Sequence, residues 1–281
     1  MRSAGMVSTG NPVVAAVDGS EHALNAAVWA AEEAQRRGAA LEVVIANDDP
    51  ARADYVDKAL HQAADRCREH APGLRVTEET LSGYAADELI RRSEYAQVLV
   101  TGSRGQGGFA DALLGSVSKD VATHGHCPVI VIRSDRASTT GPVVVGVDDS
   151  SGSRAALRFA FDAASQRGCE LVVMQMWREE GLLAVPLPPE DRQLVQDAIE
   201  RSLTEQTAEL RRNYPDVPVG HVARRAHPVA ALTDASADAR LVVVGHRGRG
   251  GFQELFLGSV ASGVLHHARC PVAVVSDPES R

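Results

Sequence analysis

The chain repeats itself. "PVVAAVDGS", starting at Pro12, returns as "PVVVGVDDS" from Pro142, and Gly38 returns as Gly168, each pair 130 residues apart. Further along, "CPVIVI" from Cys127 returns as "CPVAVV" from Cys270 and Gly102 returns as Gly245, now 143 residues apart. The second copy therefore carries 13 extra residues, placed around "EEGLLAVPLPPED" from Glu179 to Asp191. A period this long lies well outside the roughly 20 to 50 residues of stacked solenoid repeats. Two copies of one domain are predicted, at 12–133 and 142–276, with "SDRASTTG" (134–141) as linker and loose tails at 1–11 and 277–281.

Within each copy, short β-rich runs alternate with helical periods. In the first copy the runs are Val13–Val17, Leu41–Ala46, Leu74–Leu81, Val98–Thr101 and Val129–Arg133. Four of these five are continuously apolar, as strands of a parallel sheet buried on both faces must be. Between them the spacing predicts helices over Glu21–Arg37, ending at Gly38, and over Ala53–His70, Ala85–Ser93 and Val117–His124. The alternation predicts an α/β fold of two tandem, doubly wound, five-stranded parallel-sheet domains with right-handed crossovers. Ligands of such sheets sit beyond the carboxyl ends of the strands. Asp18, ending the first run, and Gly102, ending the fourth, both face that crevice.

Charge narrows the partner classes. With Lys+Arg 29 against Asp+Glu 37 the net charge is −8, which opposes general affinity for nucleic acid or an anionic membrane. The start, "MRSAGMVSTGNP", has no apolar core of signal-peptide length, and no run approaches the roughly eighteen residues of a membrane span, so a cytoplasmic protein is expected. Cys67, Cys127, Cys169 and Cys270 occur singly and read as reduced, buried thiols.

One glycine pattern is kept in both halves: Gly102-x2-Gly105-x9-Gly115-Ser116 and Gly245-x2-Gly248-x9-Gly258-Ser259. Gly102 and Gly105 are expected to permit positive φ and close approach of a ligand to backbone N–H groups. Gly115-Ser116 is expected to open a helix whose first N–H groups and serine hydroxyl face the same point, where the positive helix end favours phosphate. A flexible lid with a serine cap is the competing reading. Arg104 and Arg247 match across the halves and stand within reach of polyphosphate oxygens or in plain solvent. No Gly-Lys-Ser/Thr is present, so a P-loop is excluded; Gly105-x-Gly107-x-x-Ala110 follows the wrong strand for a dinucleotide fingerprint.

These residues resemble the ATP-binding subgroup of the universal stress protein family, marked by G-x2-G-x9-G-S/T after the fourth strand and an aspartate ending the first. The resemblance spans nearly the whole chain as a tandem and implies strand order 3-2-1-4-5 in each half, a Rossmann-like sheet of the adenine nucleotide alpha hydrolase type. It implies that Asp18 and Asp148 contact the ribose or adenine side, and that Ala46 and Met176 line the adenine pocket, with Thr101 and Val244 just before the glycines. Gly102, Gly105, Gly115, Ser116, Val117 and Ser118 would hold the phosphates in the first half, and Gly245, Gly248, Gly258, Ser259 and Val260 in the second. Ala261 stands where the first half has Ser118, which removes a hydroxyl and weakens the second site. The implied ligand is ATP, or AMP or ADP, with Mg²⁺ held mainly through the phosphates. It also implies that the two fifth strands pair within the chain as a pseudo-dimer, with homodimerisation beyond that.

No Gly-x-Ser-x-Gly elbow and no His-Glu-x-x-His occurs, so catalysis has no recognisable centre. His124-x-His126-Cys127 and His266-His267-x2-Cys270 suggest a metal, but His126 corresponds to Arg269, an exchange a shared metal site would not tolerate. Three classes remain: a nucleotide-dependent regulator of stress or dormancy adaptation, a slow ATP-hydrolysing enzyme, and a scaffold in which the nucleotide is only structural. The first is favoured, and neither a catalytic nor a metal-ligating residue is assigned.

Overall fold

A computed structural model describes residues 10–105, 114–133, 140–178, 188–248 and 257–277. The predicted linker and insertion fall largely outside these, as do residues 106–113 and 249–256 of the two glycine segments. The first half runs β1 (Val13–Val17), α1 (Glu21–Arg37), β2 (Leu41–Asn47), α2 (Ala53–His70), β3 (Val76–Ser82), α3 (Ala85–Arg92), β4 (Val98–Gly102), α4 (Ser116–His124) and β5 (Val129–Ile132). The second repeats it as β6 (Val143–Val147), α5 (Ser151–Arg167), β7 (Leu171–Trp177), α6 (Pro189–Asn213), β8 (Val219–Arg225), α7 (Pro228–Ala235), β9 (Leu241–Gly245), α8 (Ser259–His267) and β10 (Val272–Val275).

The strands form one sheet in the order β3-β2-β1-β4-β5-β10-β9-β6-β7-β8. Each half has the order 3-2-1-4-5, parallel throughout, and the halves meet where β5 and β10 pair antiparallel, Val131 opposite Val272 and Val129 opposite Val274. Alternation along the strands divides the core. Val13, Ala15 and Val17 face the α1/α2/α5/α6 layer, and Val14 and Ala16 face the other. Both layers continue across the seam: Ile130 and Ala273 belong to the first, Val129 and Val272 to the second.

Local chemistry sets the helix ends. The Ser20 hydroxyl accepts from the Ala23 N–H at 3.3 Å, and Gly38, at φ 60°, closes α1 with its N–H on the Ala34 and Gln35 carbonyls. Ser150 and Gly168 do the same for α5. Such a serine cap is worth about 1 kcal/mol, and only glycine enters the left-handed region without steric cost. α1 buries Ala23, Ala26, Ala27, Ala30, Ala31 and Ala34, and these small side chains let the helix lie close to the sheet. Among the described residues no helix is long and apolar enough to cross a membrane.

Candidate functional site

β1, β2 and β4 end at a common edge, and beyond it lies a cavity of ≈ 530 Å³, within the range of small-molecule sites. Asp18, Ala46, Thr101, Gly102, Arg104, Gly105, Gly115, Ser116, Val117 and Ser118, the ten positions named in the first half, all line it. They come from three strand ends and one helix start because β1 and β4 are neighbours and diverge there, with α1 leaving β1 on one face and α4 following β4 on the other.

Asp18 is held before any ligand arrives. Its Oδ1 accepts from the Ser20 N–H at 3.0 Å and the Ser20 hydroxyl at 2.7 Å, so the serine that caps α1 also orients the carboxylate. The glycines correct the expectation of positive φ, since neither Gly102 nor Gly105 adopts it. Their constraint is proximity: a Cβ on Gly105 would lie 2.4 Å from Asp18 Oδ2, and one on Gly102 would lie 3.3 Å from the His22 backbone in the first turn of α1. The positive φ occurs one residue after the aspartate, at Gly19 (φ +87°), where a Cβ would lie 2.2 Å from the Tyr55 hydroxyl oxygen.

Gly115 is the N-cap of α4, with extended backbone, and Ser116 is the first helical residue. The cap makes no side-chain hydrogen bond, so the amide end of the helix is open to a ligand oxygen. Ser118, which lines the cavity, also has a structural task. Its buried hydroxyl donates to the Gly102 carbonyl at 2.7 Å, tying α4 to the end of β4. Arg104 is exposed beside the cavity. Arg133 follows β5 and lies outside the cavity lining: its guanidinium donates to the Ala268 carbonyl at 3.1 Å and to the Leu265 carbonyl at the end of α8, and burial together with Arg104 lowers its pKa.

The opposite wall is apolar: Val17, Val44, Ile45, Ala46, Val56 and Leu89. Sequence reasoning missed the contribution of α2 and the short turn before it. Tyr55 lines the cavity and donates to the Asp18 carbonyl at 3.2 Å, while the Arg52 guanidinium sits 5.3 Å over its ring. The available signals were Gly19, a bare position beside the aspartate, and Asp49-Pro50, whose aspartate caps the turn at the Ala51 N–H.

In the second half, Asp148 ends β6 and accepts from the Ser150 hydroxyl at 2.6 Å, and a Cβ on Gly248 would lie 2.2 Å from Asp148 Oδ2. Gly258 caps α8, Ser259 and Val260 open it, Val244 and Gly245 end β9, Arg247 is half-buried and Met176 lies near the end of β7. The scaffold positions thus repeat those of the first half. The extra residues of this half are partly helical: α6 has 25 residues where α2 has 18, and 179–187 lie outside the described residues.

The Universal stress protein family profile matches the chain twice, over residues 11–133 and 139–276. Universal stress protein Rv2005c of Mycobacterium tuberculosis is 38% identical over 284 residues, covering 93% of this chain and 96% of that protein. Rv2623 of the same organism is 33% identical over 298 residues, covering 96% and 99%. The crystal structure of a universal stress protein from Archaeoglobus fulgidus, 20% identical, shares the fold with a TM-score of 0.69 over 96% of this chain and 98% of that one. The profile match in tandem and the close relatives along nearly the full length give one conclusion: the chain belongs to the universal stress protein family.

Proposed function

We propose that the chain is a nucleotide-binding regulator that holds ATP in the crevice of its first half and transmits occupancy to partners in stress or dormancy adaptation. The observation that carries this reading is the single cavity gathering an apolar wall, an oriented carboxylate, an open helix N-terminus and an arginine. An adenine ring suits Val17, Ile45, Ala46 and Leu89; ribose hydroxyls suit Asp18; phosphates suit Gly105, Gly115, Ser116 and Arg104. Among the described lining residues Asp18 is the one carboxylate. One carboxylate suits a Mg²⁺ ion bound chiefly by phosphate and water. We read the site as one that retains its nucleotide, with slow hydrolysis as the competing reading; the described lining residues include no histidine, lysine or second acid. The β5–β10 pairing joins the two halves in one sheet.

Gly115→Asp tests this. A Cβ there would meet nothing nearer than 3.6 Å, and the backbone needs no positive φ, so the added carboxylate sits at the helix end without a clash. Calorimetry with Mg-ATP should show binding to the wild type and at least about hundredfold weakening in the variant, while the fold gains a few tenths of a kcal/mol from the better N-cap. Unchanged affinity would remove the phosphate assignment, and absence of binding to the wild type would favour the scaffold reading.

A further inference from the structure

The two halves keep the same backbone at the strand end but not the same wall. Ser20 and Ser150 make matching bonds, to Asp18 and Asp148 and to the first turn of their helices, and the residue between takes the left-handed conformation in both, at φ +87° for Gly19 and φ 64° for Asp149. Asp149 is the sole non-glycine residue in that region among the described residues. Aspartate tolerates the left-handed conformation better than most side chains.

Where the first half leaves this position bare for the Tyr55 hydroxyl, the second half fills it with a carboxylate. Asp149 Oδ1 accepts from Gln206 Nε2 of α6 at 2.5 Å, and its Oδ2 accepts from Gln175 Nε2 of β7 at 3.3 Å. Gln175 pairs with Val147 as Ile45 pairs with Val17, so an amide replaces an apolar cavity-lining residue at the same register position. Its Oε1 is buried without a hydrogen-bond partner among the described residues. Two further changes alter the phosphate end. Gly152 replaces His22, and a Cβ on Gly245 would lie 2.8 Å from the Gly152 carbonyl carbon, against 3.3 Å from Gly102 to His22. Ala261 lacks the hydroxyl with which Ser118 braces the first loop.

We propose that Asp149 is a specificity-determining residue: held by Gln175 and Gln206, it turns the second crevice away from the anionic nucleotide that the first accepts, so that the chain carries one tightly bound ATP and not two. A carboxylate and amides stand where the first half offers an aromatic hydroxyl and an aliphatic wall. They disfavour both a polyphosphate and the apolar face of a base. This rests on the nucleotide-binding reading of the first crevice and deepens it by assigning the occupied half.

The test is native mass spectrometry and calorimetry of the full chain with Mg-ATP, using wild type, Gly115→Asp, Asp149→Gly and Asp149→Asn. The wild type should take up one ATP tightly and Gly115→Asp none. Asp149→Gly, which relaxes the backbone at its positive φ, should take up two, the second at least about tenfold tighter than any second event in the wild type. If Asp149→Asn also gains the second site, charge carries the discrimination; if glycine alone gains it, shape does, and either supports the assignment. Two equivalent sites in the wild type, one wild-type-like site surviving in Gly115→Asp, or a stoichiometry of one in Asp149→Gly would overturn it while leaving the nucleotide-binding reading intact. No uptake by any folded form, checked by circular dichroism, would overturn that reading as well.

Discussion

Gly105 and Gly248 are bare because of the aspartates they face. A methyl group on Gly105 cannot share space with Asp18 Oδ2 at 2.4 Å, so the carboxylate must swing away from the position Ser20 gives it. Gly105→Ala should therefore weaken Mg-ATP binding by about tenfold while the thermal midpoint moves little, because the residue is exposed and the cost falls on the site. Ser20→Ala should reduce stability by about 1 kcal/mol and affinity together, because one hydroxyl both caps α1 and orients Asp18; denaturant titration and calorimetry on the same sample separate the two. The thiols of Cys67 and Cys270 are pushed up to about 12 by burial, so they stay protonated at neutral pH. A thiol-reactive chromophore should label neither until the chain unfolds.

Helices and strands follow their local signals closely where caps are strong. α1 and α2 occupy the predicted spans because Ser20 and Gly38 bound the first and Asp49-Pro50 leads into the second. β3 starts two residues later than its β-rich run suggests, since the Leu74 N–H closes a turn on the Ala71 carbonyl at 3.1 Å. The larger departure is α6. Part of the 13-residue insertion lengthens this helix, and Gln206 on it reaches back to Asp149, a partnership between residues 57 apart that no local pattern encodes. α1 has a role at each end: its first turn borders the cavity and its last turn enters the contact with α5.

That contact holds the two halves in register. Glu33, fully buried, accepts from Arg37 Nε at 2.7 Å within α1 and from Arg167 Nη2 of α5 at 2.5 Å across the seam. Arg37 and Arg167 are equivalent by the 130-residue repeat, and each stacks on the other half's aromatic, Arg37 on Phe159 and Arg167 on Trp29. The carboxylate is not duplicated, because the position equivalent to Glu33 is the buried Ala163. Pairing of unlike halves thus lets the two arginines share the Glu33 carboxylate, with Arg37 also reaching Asp162 of the other half at 3.5 Å, whereas two second halves would bring the arginines together without Glu33. Glu33→Ala should cost about 3 kcal/mol in a urea titration by taking from the buried Arg167 guanidinium the carboxylate it pairs with. Adding Ala163→Glu, which moves the acid across the pseudo-twofold axis beside Arg167, should restore most of it; no recovery would show that the cluster is not symmetric in this way. Burial alone would raise the Glu33 pKa, but Arg167, Arg37 and Arg36 outweigh it and hold the group below the ordinary 4.5. Its stabilisation is therefore complete above that pH and is lost as pH falls through the lowered native value, and Glu33→Ala should flatten this acid limb.

The duplication, the βα alternation and the repeated glycine spacing were readable from the chain because each rests on residues near one another in sequence: apolar strands, capped helices, bare loop positions. They suffice to place Asp18, Gly102 and Gly115 at one end of a parallel sheet. Aligning the halves exposed one difference between the crevices, Ala261 for Ser118, but not the difference in their walls, which depends on which distant side chain occupies the space over a strand end: Tyr55 above Gly19, Gln175 and Gln206 around Asp149. The same holds for Glu33, an ordinary charge on a helical period until folding brings α5 against it and buries it among arginines. Local propensity writes the elements, while burial and close packing settle which of their side chains meet.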